Sequence, residues 1–211
     1  RADQPEVTDA GAAFELLQAF ALIHDDVMDG SAVRRGAPAV HRRFGDRHEQ
    51  AAWPGESRRF GEGAAILIGD LALVYADQLL PAGRPGVPEL WDELRVELNV
   101  GQYLDMLGTA SRTFDRASAR RIARYKSGRY TIERPLHLGA TLAGGHELVP
   151  ALSGYGAPLG EAFQLRDDVL GAFGDAERTG KPVGDDLREG KPTLLLAVAH
   201  ERATGAQREL L

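Results

Sequence analysis

The sequence predicts an all-α fold, a helical bundle with a polar cavity at its centre. Apolar runs with helical spacing alternate with Pro- and Gly-rich connectors along the 211 residues. No alternation of apolar and polar residues between turn signals recurs, which argues against a sheet fold. Two of the apolar runs end in acidic clusters, and helical bundles build metal sites from side chains on facing helices.

The predicted helices follow one another through short connectors. We expect the first over residues 9–29, with Thr8 or Asp9 as its N-cap and Gly30 as its C-cap. The other helices are expected near residues 36–44, 61–80, 88–108, 116–127, 130–144, 150–173 and 192–204, with a polar loop at 52–60. Pro135 falls early in one of them, where it either starts or kinks the helix.

The composition limits the classes of function. The net charge of −6, without a basic stripe among aromatic residues, argues against a nucleic-acid binder. The absence of cysteine excludes disulfides and thiolate metal sites. No apolar run has the roughly 18 residues of a membrane span, and no signal peptide is visible, so we expect a cytoplasmic protein without stable membrane insertion. The chain opens without an initiator methionine, and we expect residues 1–211 to be one domain trimmed at both ends.

The first acidic cluster closes a long apolar run. Asp25 and Asp29 stand four residues apart, so their carboxylates project from one helix face, and Asp26 lies between them. A C-cap at Gly30 puts these anions in the last turns, where the helix dipole is already negative. The alternative is a solvated acidic face. Because the flanking residues are apolar, we favour a buried helix whose acidic end opens into a cavity as a metal site.

The second acidic cluster ends another apolar run and includes an amide. Asp167 and Asp168 lie three and four residues after Gln164, which places the three polar groups on one side of a helix. Carboxylates this close raise one another's pKa unless a cation joins them. Hard oxygen ligands suit Mg²⁺, which proteins hold with one or two carboxylates plus substrate phosphates. Two such clusters therefore indicate a magnesium site, and an anionic ligand would lie between the metals.

Basic residues follow both acidic clusters and supply the opposite charge. Arg34 and Arg35 lie in a turn after the first cluster, and guanidinium groups bind phosphate oxygens bidentately. Lys126 lies at a predicted helix end, and Lys181 and Lys191 lie in a Gly-rich segment after the second cluster. Each of them alone is more often a solvated surface residue. Together with the carboxylates they provide both signs of charge that a metal–diphosphate complex requires.

These segments together resemble the motifs of the trans-isoprenyl diphosphate synthases, or polyprenyl synthases. Asp25-Asp26-Val27-Met28-Asp29 followed by Arg34-Arg35-Gly36 is similar to their first aspartate-rich motif, and Gln164-Leu165-Arg166-Asp167-Asp168 to their second. Motifs of the intervening helices and of the closing loop are matched by Gly101-Gln102-Tyr103-Leu104-Asp105, Lys126-Ser127-Gly128, Thr179-Gly180-Lys181 and Asp186-Leu187-Arg188-Glu189-Gly190-Lys191. The six motifs keep the family's order over about residues 11–198.

The resemblance implies a fold of the isoprenoid synthase type, with mostly antiparallel helices around a central metal and diphosphate cavity, as a homodimer. It implies that an allylic diphosphate is condensed with isopentenyl diphosphate and that Mg²⁺ is the cofactor. By the same likeness, Asp25, Asp29 and Asp167 bind Mg²⁺. The carboxylates implied to support them, directly or through water, are those of Asp26, Asp105, Asp168 and Asp186.

The resemblance also implies which residues hold the substrates. The allylic diphosphate would be held by Arg34, Lys126 and Lys181, with Lys191 closing over it, and Gln102 would join the substrate site. Gln18 and Arg35 would face isopentenyl diphosphate. Ser127 and Gln164 would lend oxygens to the developing carbocation, so that the implied catalytic residues are Lys126, Ser127, Gln164 and Lys191. Closure of the loop at 176–191 is expected to keep water from the cation.

The sequence departs from the family pattern in three places. Gly171 stands where many relatives carry the third aspartate of the second motif, and Asp175 lies nearby. The Gly-Gly-Lys/Arg motif for isopentenyl diphosphate, normally upstream of the first acidic cluster, is absent from these residues. The helices that normally follow residue 204 are also absent.

Product length is expected to depend on the residues one turn or more before the first acidic cluster. These are Phe20 and Ala21, and the family resemblance then favours geranylgeranyl diphosphate, with farnesyl diphosphate next. The alternative for Phe20 is an ordinary aromatic residue of the core.

Two alternative functions remain open. A class I terpene cyclase would carry an Asn/Ser/Glu-type second motif, and a non-catalytic regulatory subunit that binds prenyl diphosphates would have lost some of the aspartates or Lys126.

Overall fold

The computed structural model describes residues 4–175 and 184–208, without the side chain of Asp185. Helices account for nearly all of the regular structure, and one ribbon of two short strands is the only sheet in the described part. The predicted all-α class is therefore confirmed. None of the described helices is long and apolar enough to cross a membrane. The cytoplasmic location stays a prediction.

Contacts divide the described chain into two compact units, with the boundary between Ala82 and Gly83. The first unit contains α1 (Pro5–Asp29), β1 (Val33–Arg34), β2 (Ala37–Pro38), α2 (Val40–Gln50) and α3 (Ser57–Leu79). The second contains α4 (Val87–Ser111), α5 (Arg116–Ile122), a π-helix (Ala123–Glu133), α6 (Arg134–Leu142), a 3₁₀ turn (His146–Leu148), α7 (Val149–Phe173), α8 (Asp185–Arg188), α9 (Leu194–Arg202) and α10 (Gly205–Arg208). That residues 1–211 form one domain stays a prediction.

In the first unit, α1 and α2 both pack against α3. The buried positions of α1 recur every three or four residues, at Ala10, Ala13, Leu17 and Phe20, which is the spacing of one helix face. On α3 the contact needs a residue without a side chain. A Cβ on Gly61 would lie 2.2 Å from the carbonyl oxygen of His41, so only glycine lets α2 approach this closely.

The first helix begins earlier than predicted. It starts at Pro5, with Gln4 and not Thr8 or Asp9 as its N-cap, because proline fits the first turn, where its missing N–H leaves no hydrogen bond unmade. The predicted C-cap at Gly30 is confirmed: its φ of 68° is left-handed, and its N–H donates to the carbonyl of Asp26.

A short antiparallel ribbon replaces the start of the helix predicted near 36–44. Val33 pairs with Pro38 and Arg34 with Ala37, joined by a two-residue turn. Arg35 and Gly36 have φ values of 53° and 76°, and positive φ at both positions is the geometry of a tight type I′ hairpin turn. The following helix, α2, consequently begins at Val40 and continues to Gln50. Likewise, the expected loop at 52–60 ends at residue 56, because α3 already begins at Ser57.

In the second unit, the π-helix lies between α4 and α7 and packs against both. Two close approaches hold it there. A Cβ on Gly101 of α4 would lie 2.3 Å from the backbone nitrogen of Lys126, and a Cβ on Gly160 of α7 would lie 2.5 Å from the carbonyl oxygen of Gly128. Glycine at these positions brings both helix backbones against the segment that carries Lys126.

The helix predicted over 116–127 is confirmed in its first part only. α5 starts after Asp115, whose side chain accepts the N–H of Ser118, but α-helical geometry ends at Ile122 and a π-helix of 11 residues follows. Pro135 lies in the first turn of α6, so it starts this helix and does not kink it. π-helices are rare and concentrate at functional sites, which draws attention to residues 123–133.

Candidate active site

The first acidic cluster lies at the C-terminal end of α1, as predicted. A carboxylate oxygen of Asp25 and one of Asp29 lie within 4.8 Å of each other, which confirms that the two side chains share a helix face. Asp26 between them is only 3% exposed, whereas Asp25 and Asp29 are half-buried. The chain therefore keeps three carboxylates together at a helix end where the dipole disfavours anions.

Arg34 on the ribbon contacts this cluster directly. Its Nε donates to Oδ1 of Asp26 at 2.8 Å, and its Nη2 donates to Asp26 at 2.5 Å and to Oδ2 of Asp25 at 3.1 Å. Burial opposes the charge of this guanidinium, but the hydrogen bonds and charges of Asp26 and Asp25 outweigh it and raise the pKa of Arg34. The tight turn after Gly30 is what brings this cation back onto α1. Its predicted contact with the allylic diphosphate stays a prediction.

The other residues predicted in this unit have different exposures. Arg35 occupies the exposed tip of the ribbon, and Gln18 and Ala21 of α1 are half-buried. Phe20 is buried, and its ring meets the ring of His24 edge-on at a centroid distance of 4.6 Å. Phe20 is thus a core aromatic residue in this unit, and its predicted role in product length stays open.

His24 is a residue to which sequence reasoning gave no function. Its Nε2 lies 3.0 Å from the carbonyl oxygen of Ile66 and 3.6 Å from Oδ1 of Asp70, both on α3. A Cβ on Gly69 would lie 2.3 Å from the same ring, so the imidazole fills the place of a side chain there. Its position directly before Asp25 was the available signal. His24 anchors the acidic end of α1 on α3.

The second acidic cluster lies near the C-terminal end of α7. The side-chain amide of Gln164 donates to Oδ1 of Asp168 at 2.8 Å, which confirms that these two residues share a helix side. Asp168 is 6% exposed, whereas Asp167 is exposed. Burial raises the pKa of Asp168 to about 6; the hydrogen bond from Gln164 opposes this shift, and nearby carboxylates add to it. Those carboxylates are Asp186, Asp167 and Asp105.

The departure at Gly171 has a structural counterpart in α8. A Cβ built on Gly171 would lie 2.7 Å from Oδ2 of Asp186, and the N–H of Gly184 donates to the carbonyl of Gly171 at 2.8 Å. The carboxylate of Asp186 therefore occupies the space that a side chain at 171 would need. Asp175, the other acidic residue considered for this place, is exposed.

Lys126 and Asp105 form an ion pair between the π-helix and α4. The ammonium nitrogen of Lys126 lies 2.5 Å from Oδ2 of Asp105, which is 5% exposed. Ser127, next to Lys126, and Gln102 on α4 are both half-buried. The structure thus brings together a cation and a carboxylate that were assigned separately, to diphosphate and to metal support.

The closing-loop motif lies partly inside the described residues. The Lys191 ammonium lies 3.3 Å from Oε2 of Glu189 and 3.9 Å from Oδ1 of Asp186, and its backbone N–H donates to the carbonyl of Asp186. Lys191 is therefore tied to the acidic residue that faces Gly171. Lys181, with Thr179 and Gly180, falls outside the described residues.

Sequence reasoning also missed a buried ion network beside the Lys126–Asp105 pair. Glu97 of α4 contacts Arg129 of the π-helix and Arg134 of α6, and Glu97 and Arg134 are each 7% exposed. No signal in the sequence pairs Glu97 with Arg134, because the two residues lie 37 positions apart among other polar residues. The family model for polyprenyl synthetase matches residues 1–211.

The chain belongs to the polyprenyl synthetase family. This confirms the family inferred from the six motifs. The chain is 32% identical, over 99% of its length, to the short chain isoprenyl diphosphate synthase of Methanothermobacter thermautotrophicus, of which it covers 61%. It is 36% identical, over 91% of its length, to the geranylfarnesyl diphosphate synthase of Aeropyrum pernix, of which it covers 58%.

Solved structures of this family match the fold. The chain superposes with a TM-score of 0.90 and 46% identity on the geranylgeranyl pyrophosphate synthase of Corynebacterium glutamicum, a complex with isoprenyl diphosphate and magnesium. The match covers 96% of this chain and 59% of that one. The isoprenoid synthase type of fold is therefore confirmed. The chain spans about three fifths of the length of the family members that it matches.

Proposed function

We propose that this protein is a short-chain trans-prenyl diphosphate synthase that condenses an allylic diphosphate with isopentenyl diphosphate. The observation that carries the proposal is the pairing of carboxylates with basic side chains in both acidic sets. Arg34 contacts Asp25 and Asp26 in the first unit, and Lys126 contacts Asp105 in the second. Such paired charges suit a ligand that brings both a metal cation and phosphate anions.

The carboxylates fit Mg²⁺ by their chemistry. All the donors are hard oxygens, and Asp168 keeps a raised pKa because it is buried and other carboxylates lie close to it. A divalent cation would relieve this repulsion. Asp25, Asp29 and Asp167 would hold the metal, with Asp26, Asp105, Asp168 and Asp186 as support. The bound metal would neutralise charge that develops on the departing diphosphate.

The basic residues would act on the same leaving group. Arg34 and Lys126 are each paired with a carboxylate. A diphosphate offers them stronger, doubly charged acceptors, and their hydrogen bonds would strengthen as the carbon–oxygen bond breaks. Lys191, held by Asp186 and Glu189, and Lys181 would join them on closure. Gln18 and Arg35 would contact the second substrate, isopentenyl diphosphate. Gln102 would be a further polar group of the substrate site.

The allylic cation that remains needs electron-rich groups and no water. The Gln164 amide donates its N–H to Asp168, which fixes the orientation of the amide. Its carbonyl oxygen, which carries partial negative charge, would then stabilise the allylic cation. Ser127 would supply a second oxygen. Attack by the double bond of isopentenyl diphosphate then joins the two chains, and loss of a proton, taken up by the released diphosphate, restores the double bond.

The product that we propose is geranylgeranyl diphosphate, with farnesyl diphosphate next. Phe20 is buried one turn before Asp25, where a bulky ring would limit the growing chain, and Ala21 beside it leaves some room. The geranylgeranyl diphosphate synthase of Mycobacterium tuberculosis is 35% identical over 99% of this chain, and the chain covers 56% of it. This similarity supports geranylgeranyl diphosphate as the product.

A homodimer is part of the proposal, and an exposed apolar stripe on α4 supports it. Val96, Val100, Tyr103 and Leu107 follow one another at helical spacing and are all exposed, Val96 and Tyr103 by more than 60%. Apolar stripes of this length on soluble proteins mark interaction surfaces. A second copy of the chain would bury this one.

Chromatography of the products formed by the complete protein tests the proposal. Labelled isopentenyl diphosphate is supplied with Mg²⁺ and, in separate reactions, dimethylallyl, geranyl and farnesyl diphosphate. We expect elongated diphosphates that end at twenty carbons. Cyclised hydrocarbons formed without isopentenyl diphosphate would identify a terpene cyclase instead. Binding of the allylic substrates without any product would identify a non-catalytic subunit.

A further inference from the structure

The ion network around Glu97 lies in the interior of the second unit. Arg134 of α6 donates from Nε to Oε2 of Glu97 at 2.8 Å and from Nη2 to Oε1 at 2.6 Å, a two-pronged contact. The same Nη2 reaches Glu93, one turn earlier on α4, at 2.7 Å. Arg129 of the π-helix contacts the Glu97 carboxylate as well. One carboxylate of α4 thus holds a guanidinium from each of two consecutive helical segments.

The network continues away from α4. Nε of Arg129 lies 3.6 Å from Oε2 of Glu133, and these two buried atoms have no closer hydrogen-bond partner in the described part of the chain. His137 lies between Nη1 of Arg134 at 3.3 Å and the hydroxyl of Ser153 on α7 at 2.9 Å. Burial and the charge of Arg134 lower the pKa of His137, so the ring adds no charge at neutral pH.

Stability alone does not account for a buried network of this kind. Desolvation of two charges costs about as much as their attraction returns, and replacing a buried ion pair by apolar residues is often neutral or stabilising. The best-attested use of such groups is to select one register between packed helices, because a wrong register leaves a buried charge without its partner. The register that this network selects is that of the π-helix on α4.

Three residues of α4, spaced four residues apart, contact the π-helix and the start of α6. The two segments run antiparallel, so later residues of α4 meet earlier residues of the π-helix. Glu97 meets Arg129 and Arg134, Gly101 meets the backbone at Lys126, and Asp105 meets the Lys126 ammonium. A π-turn holds one more residue than an α-turn and converts to it by a shift of one residue. Such a shift would rotate Lys126 by roughly 100°, away from Asp105.

We propose that Glu97 and Arg134, together with Arg129, are positioning residues that fix the register of the π-helix on α4 and thereby hold Lys126 against Asp105. The inference deepens the proposed function, because it assigns to the network the placement of a cation that acts on the diphosphate. None of the three network residues need touch substrate.

The test compares Glu97→Gln, which keeps the shape but removes the charge, with a matched control. Arg134→Lys, which keeps the charge but loses the two-pronged contact, is the milder second variant. The control is Arg116→Met, which breaks the exposed Arg116–Glu201 pair of 2.7 Å in the same unit. Hydrogen exchange by mass spectrometry is measured without substrate in peptides covering residues 123–133. We expect exchange there to rise about tenfold in the two network variants and to stay unchanged in the control.

A double-mutant cycle with Lys126→Ala gives the second readout. Glu97→Gln alone should lower kcat by about tenfold with KM for isopentenyl diphosphate nearly unchanged. In the Lys126→Ala background the same change should cost almost nothing more, because its effect acts through Lys126. If the losses of kcat in the two single variants multiply fully in the double variant, Glu97 does not act through Lys126 and the positioning role is overturned. Unchanged hydrogen exchange at 123–133 in both network variants overturns it as well. If the wild-type protein forms no product, the proposed function fails. The exchange measurement then still tests whether Glu97 and Arg134 fix the register of the π-helix on α4.

Discussion

The carboxylate of Asp186 lies against the backbone of Gly171, in the space that a side chain at position 171 would occupy. The distance from an ideal Cβ on Gly171 to Oδ2 of Asp186 is 2.7 Å, shorter than any normal contact of a Cβ atom. The Asp186 carboxylate of α8 lies here against α7 because glycine has no side chain, and a Cβ at position 171 would displace it. A carboxylate of the closing-loop motif thus lies at the place of the third aspartate that the family resemblance leads one to expect on the helix.

Gly171→Ala should push the Asp186 carboxylate out of place and weaken metal binding by about tenfold, as changes around metal ligands commonly do. Alanine favours helices, so the fold should remain. The matched control is Gly154→Ala on the same helix, where a Cβ meets nothing within 4 Å. Calorimetric titration with Mg²⁺ in the presence of inorganic diphosphate measures the effect. Equal affinities in the two variants would remove Asp186 from the metal site.

Asp168 should make stability depend on pH in metal-free buffer. Its pKa of about 6 lies above the ordinary value of 3.8, because burial outweighs the hydrogen bond from Gln164 and the nearby carboxylates add to the shift. The folded state therefore holds this proton more tightly, and the stability that it contributes below pH 4 is lost as the pH rises through 6. At about 1.4 kcal/mol per pH unit, the loss approaches ~3 kcal/mol.

Asp168→Asn should accordingly unfold at higher denaturant concentration than wild type at pH 7.5, and the two should converge near pH 4. Asp167→Asn, at the exposed neighbouring position, should still lose stability as the pH rises, slightly less than the wild type, because the charge of Asp167 is only a minor contribution to the raised pKa of Asp168. Urea unfolding at several pH values measures both. A wild-type protein that gains stability relative to Asp168→Asn between pH 4 and 7.5 would contradict the buried, repelled state of this carboxyl group.

Asp25→Ala should lower turnover by about a hundredfold or more, because it removes a proposed metal ligand. The fold should survive, since Asp25 is half-buried and Arg34 keeps its shorter contacts with Asp26. Asp9→Ala, an exposed change on the same helix, is the control. Steady-state condensation rates with circular dichroism on both variants provide the comparison. Activity near that of the control would exclude Asp25 from the metal site.

Phe20→Ala should lengthen the product if Phe20 forms the floor of the chain cavity. The ring is buried against His24, so the variant should also lose about 3–5 kcal/mol of stability. Leu17→Ala, at a fully buried position on the same helix, matches this loss without opening the predicted floor. Chromatography of prenyl products separates the two effects. A product of unchanged length from Phe20→Ala would leave Phe20 as a core residue only.

The sequence predicted the helices and both acidic clusters because these depend on local rules. Gly30 adopts the left-handed conformation that commonly ends a helix, and the shared face of Asp25 and Asp29 follows from helix geometry. The π-helix and the ribbon were not predicted. Both depend on long-range contacts: the close approach at Gly101 is invisible until α4 is packed, and the turn at Arg35 has no strong local signal because arginine seldom adopts positive φ.

The partners of the charged residues were the least predictable part. Composition gave no reason to pair Arg34 with Asp26 or Lys126 with Asp105, because each pair joins separate segments. Nor did it predict Asp186 against Gly171. Residues that meet across a fold are set by packing, and a sequence pattern indicates only which side of its own helix each one occupies.

The most direct test of the central claim is a crystal structure of the complete protein with Mg²⁺ and an unreactive thio analogue of the allylic diphosphate. The account predicts metal ions bound by oxygens of Asp25, Asp29 and Asp167, with the guanidinium of Arg34 and the ammonium of Lys126 on diphosphate oxygens. A diphosphate bound elsewhere, or aspartates that hold no ions at millimolar Mg²⁺, would contradict it.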